Sequence, residues 1–319
     1  MSTEERALYQ LGERLRASGY RFVTPTPATH QRVNARAEHA EATTIEGALG
    51  WSRPFRAAAL PADVVSLLAD AGVLRAEGER CRSTVRVSTI AAAHVGDGEV
   101  DVDVDAALYV HSAHPTIDPD AVFFGPDTYR FVSALRQDLR PARRLVDIAA
   151  GSGAGALSVI DRCERVVLAD INPLALRYAR INAALARCTD RVEVIESDVL
   201  ADVGGEFDAV IANPPYLADR HARTYRDGGG ALGLDLSLRI VREGLARLAP
   251  GGQLILYTGS PVIAGAHPLR AALRPILATR TCRARWRELD PDVFGEELEA
   301  APYDRVDRIA VIALVVDVA

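Results

Sequence analysis

The chain has 319 residues, 49% hydrophobic and 25% charged, which predicts a globular protein with two domains and sizeable cores. The net charge of -6 divides unevenly, because residues 1–125 hold 12 Arg against 17 Asp and Glu, and residues 126–319 hold 25 against 26. This balance argues against a duplex-binding protein, in which a marked basic excess is normal. No stretch resembles a signal peptide or a membrane span, so we expect a cytoplasmic protein.

The cysteines and histidines predict no metal site. Isolated thiols are typical of packed cores rather than of zinc sites or disulfide frameworks. The four cysteines stand singly at Cys81, Cys163, Cys188 and Cys282. The histidines nearest to predicted loops are His111, His114 and His221, and no pair of them has metal-ligand spacing with an acid.

Residues 1–125 combine helical patterns with short strands. Apolar spacing predicts helices over 3–18 and 29–49, and a third helical pattern in LPADVVSLLADAGVL. Predicted β strands follow around a Gly-Asp-Gly turn. This order resembles a winged-helix or small α+β module, which we expect to recognise the acceptor of the reaction inferred below.

The segment before residue 125 contains an acidic strand pattern. Alternating Asp and Val over 101–105 predict a half-exposed strand whose acids face solvent. These acids are Asp101, Asp103 and Asp105, and a metal site formed by the three is the alternative. The turn cluster DPDAVFFGPDT then places a domain boundary near residue 125.

From Val146 onward, apolar runs alternate with helical patterns, which predicts a doubly wound, mostly parallel α/β sheet with helices on both faces. The predicted strands are RLVDIAA, RVVLADI, RVEVIES, FDAVIAN and GQLILYTG, and the helices are LALRYARINAALARC and LDLSLRIVREGLARL. The tail segments CRARWREL and RIAVIALVVDV predict an antiparallel hairpin at the sheet edge. The sheet therefore has seven strands.

A glycine-rich turn follows the first of these strands, in VDIAAGSGAGAL. Glycines at 151, 153 and 155 permit a sharp turn and the close approach of a ligand. Asp170 ends the next strand about twenty residues later, where a doubly wound fold presents an acid to a ribose. An NAD site would share this layout. The preceding acid Asp147, the ESDV end of the third strand and the NPPY end of the fourth argue against NAD.

Together these motifs resemble the class I S-adenosylmethionine-dependent methyltransferases, in the amino-methyltransferase branch with an (N/D)PP(Y/F) motif. The resemblance covers about 126–319 and implies a Rossmann-like methyltransferase domain that uses S-adenosyl-L-methionine. It implies that the turn at 151–153 passes the methionine part of the cofactor and that Asp147 lies near the amino-acid group. It further implies that Asp170 holds the ribose hydroxyls and that Asp198 meets the adenine amine.

The resemblance implies further cofactor contacts. GPDTYRF, at 125–131, looks like the segment that covers the cofactor in this branch. The sequence departs from the family at Ala149, where glycine is common. The implied contacts are Thr128, Ala149, Gly151, Gly153, Ile171, Ser197 and Asn213, in addition to the three acids.

NPPY, at 213–216, suits the methylation of a planar nitrogen. Such a nitrogen is a poor nucleophile because its lone pair is delocalised, and two acceptors on its N–H groups favour a pyramidal geometry. The Asn213 side chain and the Pro214 carbonyl can supply these acceptors, and the proline rings hold the backbone rigid. Tyr216 offers a face for stacking. An ordinary Asn-Pro-Pro turn is the alternative.

Several acceptors remain open. YRDGGGALGLDLSLRIV, at 225–241, resembles a segment of the HemK-like, release-factor glutamine methyltransferase group, which favours a protein glutamine amide; helix C-capping by the glycines is the alternative. The alternative acceptors are an adenine or guanine amine in RNA or DNA, and a small amide, amine or guanidine. A protein that binds the cofactor without catalysing a reaction is the alternative to an enzyme. For a nucleic acid, phosphate contacts are expected from the arginine-rich segment at 270–287, which contains Arg270, Arg274, Arg280, Arg283, Arg285 and Arg287.

Overall fold

The structure is a computed structural model that describes residues 1–91, 106–116, 118–219, 223 and 225–319. The acidic strand at 101–105, with Asp101, Asp103 and Asp105, lies outside the described residues, as does His221. Within these described ranges, no helix is both long and apolar enough to cross a bilayer. No group of three His, Cys, Asp or Glu side chains in the same ranges is placed to hold a metal, and all four cysteines are free.

The amino-terminal region contains three helices and two antiparallel strand pairs. The helices are α1 (Thr3–Ala17), α2 (Pro27–Asn34) and α3 (Ala62–Asp70). The strands are β1 (Leu74–Glu77), β2 (Arg80–Ser83), β3 (Val85–Ala91) and β4 (Ala106–Ser112), of which β1 pairs with β2 and β3 with β4. Helix α1 begins at a capping box, in which Ser2 and Glu5 bond each other's backbone. The region has the α+β composition that the sequence predicts.

The predicted helix over 29–49 is wrong beyond Asn34. Two short turns, Ala37–His39 and Glu46–Gly50, replace it. The Ala42 N–H donates to the Pro54 carbonyl at 2.8 Å, so it is not available for a helical hydrogen bond. Gly50 then packs directly against the Phe22 ring, where a Cβ atom would clash. Tertiary contacts therefore override the helical spacing of the apolar residues.

The carboxy-terminal region is built on one seven-stranded sheet, as predicted. Its strands lie in the order β10-β11-β9-β8-β5-β6-β7. They are β5 (Ala142–Ile148), β6 (Cys163–Asp170), β7 (Val192–Glu196), β8 (Phe207–Ala212), β9 (Leu248–Val262), β10 (Cys282–Asp290) and β11 (Arg308–Val318). Strands β5 to β9 run parallel, whereas β11 is antiparallel to both β9 and β10. The predicted edge hairpin is thus confirmed.

Helices cover both faces of this sheet. They are α4 (Pro126–Asp138), α5 (Ala154–Leu157), α6 (Pro173–Leu185), α7 (Asp235–Arg247) and α8 (Pro268–Leu277). Successive residues of a strand point to opposite faces. Leu145 accordingly packs in the core beneath α4 and α5, and Val146 packs in the core beneath α7 and α8. Both faces of the central strands are buried, which accounts for their continuous apolar runs.

A third core joins the amino-terminal region to the sheet domain through α6. The side chains of Tyr178 and Ile181, on α6, are buried in one cluster with Leu8 of α1 and Val110 of β4. The Asn182 side chain accepts from the Val110 N–H at 2.8 Å and donates to the Val110 carbonyl at 3.0 Å. The amino-terminal region is therefore held against one side of the sheet domain.

Candidate active site

A cavity of about 890 Å³ lies at the carboxyl edge of the parallel strands. Strands β5, β6, β7 and β8 end side by side at this edge, and a predicted site residue lies in or directly after each end. We call residues 147–151, 170–172, 197–199 and 213–217 the sheet wall. The cavity lining includes Thr128, Asp147, Ala149, Gly151, Asp170, Ile171, Ser197, Asp198, Asn213, Pro214 and Tyr216. Gly153 is the predicted site residue that does not line it.

The glycine-rich turn is shaped by left-handed backbone at three positions. Ala149 has φ of 56°, Gly151 of 54° and Gly153 of 77°. A non-glycine residue is strained in this conformation, which explains why glycine suits position 149. A Cβ atom at Gly153 would lie 2.9 Å from Leu168, so this glycine shapes the turn from behind the cavity. A Cβ atom at Gly155 would lie 2.9 Å from the Asp147 carboxylate.

Two buried carboxylates flank this turn. Asp147 is 1% exposed and accepts a hydrogen bond from the Ala156 N–H at 3.1 Å. Burial, with a further contribution from the charge of Asp170, raises the pKa of Asp147 to about 7. Asp170 accepts from the N–H groups of Gly151 at 2.8 Å and Asn172 at 2.9 Å, and burial raises its pKa as well. Both carboxylates would be stabilised by a ligand that brings hydroxyl donors or a positive charge.

Other predicted cofactor contacts already have polar partners. Thr128 Oγ1 accepts from the Gly125 N–H at 3.3 Å, and Ser197 Oγ accepts from the Asp202 N–H at 3.1 Å. The half-exposed Asp198 carboxylate pairs with Arg239 Nη1 at 2.7 and 2.8 Å. This ion pair leaves lone pairs on both Asp198 oxygens. Ile171 differs, because it holds a large apolar side chain 55% exposed on the lining.

Asn213 and Pro214 present two unengaged acceptors to the cavity. They follow the last residue of β8, whose neighbours β5 and β9 hold its end in place. In the described part of the chain, no hydrogen bond engages the Asn213 side chain or the Pro214 carbonyl. Two oxygen acceptors with this freedom can receive both N–H groups of one planar NH₂.

A buried carboxylate that the sequence pattern did not reveal holds Tyr216. The Tyr216 hydroxyl donates to Asp127 Oδ2 at 2.8 Å, and the Tyr257 hydroxyl donates to Asp127 Oδ1 at 2.8 Å. Arg130 Nη1 lies 3.3 Å from the same Oδ1. Burial, followed by the Asp127 charge, raises the pKa of Tyr216 well above its usual range, so the phenol remains protonated. In the sequence, the feature that could have pointed to a role for Asp127 was its position next to the predicted contact Thr128 in GPDTYRF.

The glycine-rich segment at 228–233 supports the NPPY turn. It precedes α7, so its glycines do not form the C-cap that was one interpretation of the sequence. The Gly228 N–H donates to the Leu217 carbonyl at 2.7 Å. A Cβ atom at Gly228 would lie 2.8 Å from Tyr216 Cα, and one at Gly233 would lie 2.5 Å from the Tyr216 carbonyl oxygen. Two backbone segments therefore pack directly on each other, which only glycine permits at these positions.

Part of the cavity lining comes from the amino-terminal region. Residues 26–28, at the start of α2, and residues 114–116, just after β4, line it, and we call them the amino-terminal wall. The arginines of the arginine-rich segment do not line the cavity, and three of the six have partners within the chain. Arg280 donates to the carbonyls of Leu245 and Leu248 at 2.7 Å. Arg287 and Arg285 both form ion pairs with Asp138.

Comparisons with known proteins show similarity to methyltransferases. Residues 126–275 match the family model of the methyltransferase small domain. A release factor glutamine methyltransferase of Deinococcus radiodurans is 34% identical over 198 residues, which are 57% of this chain and 66% of that protein. A tRNA1(Val) (adenine(37)-N6)-methyltransferase of Aeromonas hydrophila is 34% identical over 122 residues, which are 36% of this chain and 51% of that protein.

A solved structure shares the fold. The crystal structure of Methanocaldococcus jannaschii Trm5 in complex with adenosine matches with a TM-score of 0.50 and 15% identity, over 84% of this chain and 62% of that chain. This chain spans less than two thirds of the length of each of the three relatives.

Proposed function

We propose that residues 126–275, which match the family model of the methyltransferase small domain, form an S-adenosylmethionine-dependent methyltransferase domain and that the protein methylates a planar nitrogen. The favoured acceptor is the side-chain amide of a glutamine in a protein. One observation carries the proposal: the Asn213 side chain and the Pro214 carbonyl face the cavity without a partner among the described residues.

The chemistry follows from these two acceptors. An amide nitrogen shares its lone pair with the carbonyl group and attacks poorly while it stays planar. Hydrogen bonds from its two N–H groups to Asn213 and Pro214 would favour pyramidal geometry and increase the electron density on nitrogen. The fixed Tyr216 ring can position the planar group. S-adenosylmethionine would supply the electrophilic methyl group and leave as S-adenosylhomocysteine, while the nitrogen would release one proton to solvent. The residues would align the nitrogen with the methyl group and stabilise the developing charge.

The residues at the glycine-rich turn suit this cofactor. Gly151 leaves the surface open, because a Cβ atom there would meet only Val122, at 3.8 Å. We assign Asp147 to the amino-acid end of the cofactor and Asp170 to the ribose hydroxyls. Ile171 would cover the apolar face of the adenine ring, and Asp198 would accept from the adenine amine with the lone pairs that Arg239 leaves free.

The choice of glutamine rests on the named relatives and on charge. The Deinococcus radiodurans relative is named for a protein glutamine, and the Aeromonas hydrophila relative for an adenine of tRNA. The chain has a net charge of -6, and Arg280, Arg285 and Arg287 of the arginine-rich segment have partners within the chain. A polyanionic acceptor would therefore meet no overall excess of positive charge. The adenine amine of an RNA is the second candidate.

We assign acceptor selection to residues 1–125 and catalysis to residues 126–319. This division is supported by the two walls of the cavity. The groups assigned to the cofactor and to catalysis lie on the sheet wall and the adjoining α4, whereas the amino-terminal wall faces them across the space an acceptor would enter.

The test is transfer of a labelled methyl group from S-adenosylmethionine to an extract of the organism's own cells. The extract is then separated into protein, RNA and small molecules, and an Asn213→Ala enzyme serves as the inactive control. We expect label in protein and N-methylglutamine after digestion. Label on an adenine amine would select the second candidate. A methyl group on oxygen, sulfur or carbon would overturn nitrogen methylation altogether.

A further inference from the structure

Arg86, on β3, is a buried cation without an acceptor. The residue is 4% exposed, and within the described ranges its Nε and Nη2 atoms are the buried side-chain polar atoms that have no hydrogen-bond partner. Its one aromatic contact is the Phe22 ring, 5.8 Å from Cζ. Burial lowers the pKa of Arg86 to about 10, which leaves it charged at neutral pH. Burying an uncompensated charge costs several kcal/mol, so a partner from outside the chain is the natural explanation.

The groups around Arg86 are aromatic and neutral. His30, on α2, and His114, after β4, have their ring centroids 4.2 Å apart and their planes tilted by 53°. Burial and the nearby Arg86 charge lower the pKa of His30 to about 3 and that of His114 to about 4. His111 lies opposite Arg86 in the strand pair, and both of its ring nitrogens have hydrogen-bond partners. The electrostatic partners of Arg86 are the neutral phenols of Tyr20 and Tyr129, so no acid among them compensates the charge of its guanidinium. Arg53, which is only partly buried, adds a second positive charge near His30.

This charge lies close to the amino-terminal wall, because it acts on His114 and on the adjoining His30, although Arg86 itself does not line the cavity. His114 belongs to the wall, and its ring makes no hydrogen bond among the described residues. Residues 26–28 begin α2, and the Thr26 hydroxyl caps the helix by accepting from the Thr29 N–H at 3.2 Å. The Ala28 N–H remains without a described partner. The helix start, the free imidazole and the buried guanidinium all favour an anion at this wall.

We propose that the amino-terminal wall is a subsite for a carboxylate of the methyl acceptor, with Arg86 supplying the positive charge behind it. The inference rests on the proposed function, because it places the acceptor in this cavity. Arg86 Nε and Nη2 lie on one edge of the guanidinium, and this edge matches the two oxygens of a carboxylate. The carboxylate would first contact His114 and the Ala28 N–H, and would reach the guanidinium as the unbonded His114 ring turns aside.

A carboxylate fits this wall better than a phosphate. A single positive charge balances a single carboxylate, whereas a doubly charged phosphate usually requires more cations. The region that bears the subsite, residues 1–125, has five more acids than arginines. An extended polyanion would be repelled by that surface, and an isolated carboxylate that reaches a buried guanidinium would not.

A direct binding experiment needs no methyl transfer. Trp51 lies 5.6 Å from the His30 ring, so its fluorescence reports on this cluster, and Trp286→Phe removes the other tryptophan. The protein is titrated with acetate and with inorganic phosphate at constant ionic strength. We expect saturable binding of acetate that becomes at least about tenfold weaker in Arg86→Met, in line with the loss of a charge-assisted hydrogen bond. Arg82→Met, which removes an arginine paired with Glu77, is the matched control and should bind normally.

A second measurement ties the subsite to the acceptor. Two glutamine peptides that differ only in a carboxylate or a carboxamide next to the glutamine are compared as acceptors. Arg86→Met should raise the KM for the carboxylate peptide about tenfold and leave the carboxamide peptide and the affinity for S-adenosylmethionine unchanged. Arg86→Lys, which keeps the charge but lacks the planar edge, should lie between the wild type and Arg86→Met, and it provides the test if the methionine variant does not fold.

The outcomes are distinct. Wild-type protein that fails to bind acetate, or Arg86→Met that binds it as well as the wild type does, would overturn the subsite. Tighter binding of phosphate than of acetate would overturn the carboxylate assignment and point to a nucleic-acid acceptor. Because the titration contains no methyl donor, its result stands even if neither peptide is methylated, an outcome that would count against the proposed function instead.

Discussion

The two walls of the cavity satisfy their polar groups in different ways. On the sheet wall, the carboxylates of Asp147 and Asp170 and the hydroxyl of Ser197 accept hydrogen bonds from backbone N–H groups. On the amino-terminal wall, the His114 ring makes no described hydrogen bond, and two buried nitrogens of Arg86 behind it have no partner. One wall is fixed by its own bonds, and the other keeps its donors free.

This difference indicates what each wall recognises. A cofactor is the same in every turnover, so groups that bind it can be held in position by the backbone before it arrives. An acceptor must be selected among similar molecules, and donors that remain unpaired until the correct group enters provide that selection. The exception on the sheet wall is Asn213, which is also free, and we assign it to the acceptor rather than to the cofactor.

The largest expected effect concerns Asn213. Asn213→Ala removes one of the two free acceptors without disturbing β8, and turnover should fall about 10²–10³-fold, the range for loss of one preorganised hydrogen-bonding group. Affinity for S-adenosylmethionine, measured by calorimetry, should change little. Asn213→Asp keeps an acceptor oxygen and should retain more activity than the alanine variant. An alanine variant with a wild-type rate on the true acceptor would place the chemistry elsewhere.

The second prediction tests a group that already has partners. Asp170→Ala should weaken the binding of S-adenosylmethionine by about 1–3 kcal/mol, since ribose hydroxyls and the Gly151 N–H would both lose their acceptor. Asp198→Ala removes a carboxylate that is half exposed and paired with Arg239, so its effect should be smaller. Calorimetry on both variants would show which of them loses more affinity for S-adenosylmethionine. Unchanged affinity in Asp170→Ala would show that the fixed carboxylate serves the turn and not the cofactor.

The sequence predicted the sheet wall much better than the amino-terminal wall. Parallel strands bring their carboxyl ends to one edge, so Asp147, Asp170 and Asn213 were expected together from their places in the chain alone. Arg86 and His114 carry no such signal, because an arginine in a strand pattern is ordinarily exposed. The contact of His114 with the cavity and the position of Arg86 near His114 depend on how the amino-terminal region packs on α6, a tertiary arrangement that short-range periodicity does not encode.

Asp127, in the sheet domain, is also a residue whose tertiary contacts the sequence pattern did not reveal. We expect its substitution to affect turnover less than that of Asn213. Asp127→Asn would take the charged acceptor from both phenols and leave one of them without an acceptor, and we expect a loss of about tenfold in turnover as the Tyr216 ring becomes less well fixed. Tyr216→Phe should give a similar loss, and the double variant little more, because the two act through one bond. Tyr257→Phe removes the other phenol, which does not line the cavity, and is the matched control. Additive losses would show that Asp127 has a separate role.

We also expect a pH dependence of stability that arises from Asp147. Its pKa is raised by burial from 3.8 to about 7, so the folded protein favours the neutral carboxyl group. The free energy of unfolding should therefore decrease as pH rises from about 4 to about 7, because over this range the folded state binds more protons at this group than the unfolded state. Asp147→Asn should flatten that part of the profile, which denaturant titrations at several pH values would reveal.

The same group should link cofactor binding to pH. The α-ammonium group of S-adenosylmethionine, which we place beside Asp147, favours the ionised carboxylate, so binding below pH 7 requires the loss of a proton. Affinity should accordingly rise between pH 6 and pH 8, by less than about tenfold, since the ionised fraction of a group with a pKa of about 7 changes by roughly that factor. Calorimetry in buffers of different ionisation enthalpy would detect the proton released. Asp147→Asn should bind more weakly above pH 7 and release none, whereas an equal proton release in that variant would assign the titration to another group.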